Sequence, residues 1–342
     1  MNKPQKKTDE IRRFILENVE VHPSDITSFV SAKFGISRQA GHRHIQKLVS
    51  EGLVIAAGAT RDRKYHTKSL VEFSIALSLN GLEEDKVWRE HLHPLMNDLP
   101  RNIFDIYHYG FTEMLNNAID HSEGTKATIL VNRSYNYVDL NVIDDGVGIF
   151  TKLQKALQLD DATHALLELS KGKVTSDPVR HTGEGIFFTS RMFDRFFINS
   201  GSLYYTHFED DKTDIWSEHK AGEVKGTAIR MVINPKSERT TQKVFDSYSD
   251  DDFGFSKTQV PVFLAAYGEE NLVSRSQAKR LLARLEKFKE IKLDFKDVPS
   301  IGQAFADEIF RVFANQNQNV HLIPINANQQ VRKMIAHVKN AS

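Results

Sequence analysis

The chain has 342 residues, 40% of them hydrophobic and 26% charged, and it contains no cysteine. That length suits two or three domains, and the absence of cysteine excludes disulfides and thiolate zinc sites. No apolar run approaches the length that crosses a bilayer, and the opening MNKPQKKTDE lacks the apolar core of a signal peptide, so a cytoplasmic protein with no membrane partner is expected. Lys+Arg and Asp+Glu balance at 45 each, yet residues 1–70 hold 13 basic against 7 acidic side chains. A basic head on an acidic body directs any nucleic acid to the head.

The head is predicted as three short helices and a hairpin. Ile11, Phe14 and Ile15 give one apolar face; Ile26, Phe29, Val30 and Phe34 give a second. Gly35 closes that helix and Ser37 caps the next, which turns Ile45, Leu48 and Val49 inward. Arg38, Gln39, His42, Arg43 and Lys47 fall largely on its other side, and Leu53–Ala57 and Arg63–His66 form a ribbon around Gly58–Asp62. This stretch resembles a winged helix-turn-helix. The resemblance implies DNA as partner, with the polar helix in the major groove and Arg61, Arg63 and Lys64 of the wing on phosphate or the minor groove; protein docking is the other use of such a module.

Trp88, Leu92 and Leu95 at helical spacing predict a helical connector over 71–100. Beyond it, four segments in fixed order carry the chemistry. In GFTEMLNNAIDHS (110–122), Glu113 and Asn117 share one helical face and Asp120 lies a further turn along it. Asn117 offers a neutral oxygen suited to octahedral magnesium, and Glu113 a carboxylate able to take a proton from water or a hydroxyl. In VDLNVIDDGVGIF (138–150), a strand ends in Asp144, a potential acceptor for an adenine amino group, and Gly146 and Gly148 let backbone pass close to a base. In HTGEGIFFTSRMFD (181–194), Gly183 and Gly185 open a helix whose free amides can cradle phosphate. In KGTAIRMVI (225–233), Thr227 enters a strand with a hydroxyl for the adenine end. The long polar stretch 151–182 suits a lid over bound nucleotide, with Lys171, Lys173, Arg180 and His181 as phosphate candidates.

In that order, ExxxN, DxGxG, GxG and GT resemble the boxes of the GHKL ATPases over roughly residues 100–235. The resemblance implies a Bergerat-type α/β sandwich of mixed sheet plus helices that binds ATP with Mg2+. Position by position it implies Asn117 as magnesium ligand, Asp144 and Thr227 as adenine contacts, Gly146, Gly148, Gly183 and Gly185 as nucleotide-contacting glycines, and Glu113 as general base. No histidine-bearing dimerisation helices precede these boxes, and no downstream transducer with a switch lysine is evident.

KSERTTQKVFDSYSDDDFGF is predicted as a polar linker, 236–255. After it come a strand at Val260–Ala265 with Pro261 favouring an edge, a helix at Ser276–Phe288, a strand at Ile291–Phe295, a helix at Ile301–Phe313, a strand at Val320–Ile325 and a helix at Gln329–Val338. Residues 274–313 resemble a STAS-like domain. Where phosphorylatable members of that class place a serine at the helix start, this chain has Gly302, Gln303 and Ala304, with Ser300 slightly before. A docking or dimerising module for a protein partner is therefore expected, over a kinase substrate in cis.

The predicted fold class is α/β multidomain: winged helix-turn-helix at 1–70, connector at 71–100, ATP-binding sandwich at 101–235, linker at 236–255 and STAS-like α/β domain at 256–342. An ATP-responsive, DNA-associated regulator, dimeric by analogy with its two resembled modules, is the leading expectation. A serine/threonine protein kinase of the anti-sigma type and a non-hydrolysing nucleotide-gated scaffold are the alternatives.

Overall fold

The computed structural model describes residues 3–59, 62–175, 183–210, 212–218, 224–252, 254–266 and 270–340. These form a multidomain α/β protein with helices packed around several sheets. The chain divides into two compact units. One takes the chain through Ile75 with Ile129–Leu140 and Val232–Ser237; the other takes Ala76–Thr128, Asn141–Met231 and everything from Glu238.

The first unit opens with α1 (Lys3–Asn18), α2 (Ile26–Phe34) and α3 (Arg38–Ser50), followed by an antiparallel ribbon of β1 (Val54–Ala57) and β2 (Lys64–Thr67). Gly35 adopts φ 62° to end α2, and the Ser37 hydroxyl accepts from the Ala40 amide (3.2 Å) to start α3. Ile15, Ile26, Val30, Ile45, Leu48, Val54 and Tyr65 close one small core, so each element's apolar face is used as its spacing predicts. Glu20 ties the ribbon down: its carboxylate accepts from the Thr67 amide and hydroxyl, both at 2.7 Å. Within the same unit, Tyr135 packs on this core, and the Lys236 ammonium reaches Glu17 (3.1 Å) over the Tyr135 ring.

Val71–Ser78, expected as the start of a helical connector, is instead β3, an edge strand. Its alternation of half-buried Val71, Phe73, Ile75 and Leu77 with exposed neighbours has period two, which the spacing of the tryptophan and leucines further on does not report. The helical part begins later, with α4 (Glu84–Val87), a π-helical turn at Trp88–Leu92, and α5 (His93–Met96). The long α6 (Arg101–His121) follows and buries Ile103, Ile106, Tyr107, Phe111, Met114 and Leu115.

Next come β4 (Lys126–Arg133), β5 (Val138–Asp144), α7 (Ile149–Leu157), α8 (Ala162–Lys171), α9 (Gly185–Met192), β6 (Arg195–Gly201), β7 (Leu203–Phe208), β8 (Thr213–Glu218) and β9 (Val224–Ile233). The seven strands form one sheet in the order β3-β4-β5-β9-β6-β7-β8, with β7 antiparallel to both β6 and β8. Most of the expected lid is therefore packed helix. In α8, capped by Asp161 accepting from the His164 amide (2.7 Å), Ala165, Leu166 and Leu167 are fully buried. Polar Asp160, Asp161 and His164 disguise this apolar face in the sequence. Residues 176–182, with Arg180 and His181, lie outside the described residues.

The expected linker also holds a helix, α10 (Thr241–Tyr248), capped by the Thr240 hydroxyl. Its Phe245 meets Phe188 (4.6 Å between centroids) and Tyr109, and Tyr248 meets Phe187. Val244, Phe245 and Tyr248 stand on one face, and that face, embedded among charged residues, is what makes it a packed element.

The tail builds a parallel three-stranded sheet from β10 (Lys257–Pro261), β11 (Glu290–Asp294) and β12 (His321–Ile325), in that order. Crossing between them are α11 (Arg275–Leu282) and, after β11, α12 (Gln303–Asp307), a π-helical stretch at Glu308–Phe313 and α13 (Ala314–Gln316); α14 (Gln329–Asn340) ends the fold. Pro261 lies on an edge strand as expected, but the strand stops there and Val262–Ala265 is a 3-10 turn. Leu281, Ile291, Leu293, Phe295, Phe305 and Ile309 fill the core beneath the crossover helices.

Candidate functional site

Helix α6, the end of β5, the start of α7, the end of α8, the start of α9 and strand β9 surround a cavity of about 290 Å³. Glu113, Asn117, Asp144, Gly148, Gly183, Gly185 and Thr227 all line it. Four segments distant in sequence are thereby brought to one place. Apolar walls come from Met114, Val142, Leu153, Ile186 and Ile229.

Asp144 forms part of this wall, 8% exposed. The amides of Gly146 (2.9 Å) and Thr227 (3.2 Å) both donate to its Oδ1. Burial pushes this carboxyl above the ordinary aspartate value, with the two amide donors opposing the shift. The Thr227 hydroxyl accepts from the Ile149 amide (3.0 Å), so strand β9 and the turn after β5 are stitched together at the cavity edge.

Glycine is required where these backbones meet. At Gly226, φ is +76° and a Cβ would stand 2.0 Å from the Asp144 carbonyl oxygen. At Gly146 a Cβ would stand 2.0 Å from the Ser122 carbonyl oxygen. Gly146 does not itself line the cavity; its amide serves by holding Asp144.

Glu113 faces the start of α9: a Cβ on Gly185 would lie 2.0 Å from its Oε2. Burial pushes Glu184 up, and burial followed by the Glu113 and Glu184 carboxylates raises Tyr109 far above the usual phenol value. The Glu113 and Glu184 carboxylates thus both stand at this end of the cavity, with the Lys173 ammonium opposing the upward shift of Glu184. Asp120, expected with these groups, is exposed and absent from the cavity wall.

Sequence reading missed several residues here. Ser200, 2% exposed, donates to the Gly226 carbonyl (2.8 Å) and accepts from the Ile149 amide (3.1 Å). His121 and Lys152 line the cavity, and the Lys152 ammonium is held by Glu123. Serine in a strand and lysine in a helix carry no distinguishing signal in one sequence; only His121, one turn past Asn117, was within reach of a spacing argument.

In the first unit, Arg38, Gln39, His42, Arg43 and Lys47 are exposed along α3, and Arg63 and Lys64 are exposed at the start of β2. Arg61 lies outside the described residues. Lys171, expected to reach phosphate, is 1% exposed, and its ammonium donates to Glu168 (2.6 Å) and to the carbonyls of Arg280 and Ala283 (3.0 Å each). A buried ammonium with three acceptors is a structural tie.

Among the described residues, no helix is long and apolar enough to cross a membrane, and no group of three or more His, Asp or Glu could hold a metal ion. No curated protein matches the chain. Residues 277–332, from α11 through β11 and β12 into α14, match the family model of a STAS-like domain of unknown function (DUF4325), and the tail is accordingly a STAS-like domain.

Proposed function

We propose that the cavity between α6, β5 and β9 binds ATP with magnesium, that the chain hydrolyses it, and that occupancy regulates a DNA-associated protein. The observation that carries this reading is the convergence of Glu113, Asn117, Asp144 and Thr227 on one cavity with glycines at the backbone crossings. These are the positions at which the chain resembles the GHKL ATPases.

The donor set suits the ligand. Both amides that hold Asp144 end on Oδ1, so Oδ2 is the oxygen for an adenine amino group, between apolar walls that accept the ring. Asn117 supplies one neutral oxygen, and among the described residues no carboxylate cluster competes for the ion, as suits a cation that keeps phosphate and water in its shell. Magnesium supplies charge neutralisation at the phosphates when bound. Glu113, beside the start of α9, takes a proton from the water that attacks the terminal phosphate.

Titration of the full chain with ATP and Mg2+ in a calorimeter tests the reading. Saturable binding that Asn117→Ala removes is the expected result, and equal affinity of both proteins overturns the assignment. Phosphate release lost in Glu113→Ala establishes turnover; release by that variant at the original rate removes Glu113 from the chemistry.

A protein kinase is the second reading, favoured by the STAS-like tail. The cap residue of α12 is Gly302, followed by Gln303 and Ala304, so the acceptor hydroxyl would belong to a separate protein. Label from γ-labelled ATP on a protein supports transfer; label in free phosphate alone supports hydrolysis. The exposed basic residues of α3 and β2 fit DNA as partner, and a homodimer is proposed with it.

A further inference from the structure

Lys171 ends α8 two residues after cavity-lining Leu169 and three before cavity-lining Val174. An ammonium has three donors. Here one goes to Glu168 at 2.6 Å and two to the carbonyls of Arg280 and Ala283 at 3.0 Å, in the last turn of α11 and just past it. Those are carbonyls the helix itself leaves unpaired, at the end where its dipole favours a cation. Glu168, fully buried, is held from its other side by Arg284 (2.9 Å).

The same residue is gripped from the sheet. The Thr258 hydroxyl of β10 donates to the Lys171 carbonyl at 2.7 Å. Gly172 and Lys173 then turn through positive φ (79° and 57°), and the Lys173 ammonium lies over the rings of Phe288 (4.8 Å) and Phe255 (5.3 Å). A Cβ on Gly172 would meet Phe255 at 2.8 Å, so the chain has one way through. Every one of these contacts fixes the backbone that carries Leu169, Val174 and Thr175 to the cavity wall.

We propose that the STAS-like tail sets nucleotide affinity at the cavity, and that Lys171 is the positioning residue joining the two. This rests on the nucleotide reading above. A ligand packed against Leu169, Val174 and Thr175 favours the arrangement in which the end of α8 is seated on α11 and β10. Linkage then requires the tail's docking and the nucleotide's affinity to change one another by the same factor, about 5- to 150-fold for typical couplings. The tail in this account is a resident wall of the site, and a partner that pulled on α11 would release nucleotide.

The test uses the full chain, ATP with Mg2+, and amide hydrogen exchange. ATP is expected to slow exchange in α6 around Asn117 and also in Arg275–Leu282 and Lys257–Pro261. Thr258→Val, which removes one hydrogen bond and keeps side-chain shape, is expected to weaken ATP binding at least about 5-fold and to abolish the protection of Arg275–Leu282 while α6 is still protected at saturating ATP. The paired change Glu168→Gln with Lys171→Met removes the buried charges together and is expected to do the same more strongly, with circular dichroism reporting that it is folded. Protection confined to α6 in the wild-type chain, or wild-type ATP affinity in folded Thr258→Val, overturns the coupling and leaves the nucleotide reading standing. Absence of ATP binding and of protection at α6 overturns both.

Discussion

Asp144 and Gly226 show how a few atoms define the candidate site. Asp144→Asn exchanges an acceptor for a donor at Oδ2, or at Oδ1 loses the hydrogen bonds accepted from the Gly146 and Thr227 amides. ATP affinity is expected to fall about 10- to 100-fold, the range for a hydrogen bond to a charged group, read by calorimetry. Gly226→Ala forces a Cβ into the Asp144 carbonyl at a positive φ. A loss of about 2 kcal/mol or more, seen as a lower denaturation midpoint, is expected with or without ATP. The neighbouring Asp145 gives a pH signature. The amides of Lys126 and Thr125 hold its carboxyl down to about 2, against an ordinary 3.8. A depressed folded-state value means the stabilisation is present above 3.8 and is lost as pH falls toward 2. Asp145→Asn should flatten the acid limb of the stability curve over that window and leave neutral pH behaviour of ligand binding intact.

At the scale of elements, Thr240 caps α10, and Thr240→Ala is expected to cost about 1 kcal/mol in denaturant unfolding, confirming that this segment folds with the body. That helix and strand β3 mark where sequence reading fell short. Phe245 and Tyr248 sit among Lys, Asp and Ser, so local polarity outweighed a short apolar face. Val71–Ser78 alternates cleanly, but the helical spacing of Trp88 and Leu92 just beyond it made the whole stretch read as one connector. The four glycine- and acid-bearing segments were legible because each residue type there is dictated by close backbone approach or by charge. Ser200, Lys152 and the Glu168–Lys171 tie were not, since their roles depend on which strand or helix becomes their neighbour.

For the whole molecule, the proposed DNA partner is tested through the charge of the head. Arg43 on α3 and Arg63 just before β2 are both exposed. Reversing both to Glu is expected to weaken DNA binding steeply and to lower the slope of log affinity against log salt by about 2, one for each phosphate no longer neutralised. A gel-shift series across salt concentrations reads both effects, and unchanged binding would redirect the head to protein docking.

The buried ammonium of Lys171 also has a history in time. Its carbonyl acceptors lie 109 and 112 residues further along the chain. At translation speeds of about 5–20 residues per second, roughly 6–20 s separate the emergence of Lys171 from the ribosome and the arrival of Ala283. Throughout that interval the side of α8 that packs on β10 lacks this cover, so the nascent polypeptide exposes that face until the last quarter of the chain is made. A stop codon shortly after residue 256 should therefore yield an insoluble product, whereas loss of the final helix alone should be tolerated far better.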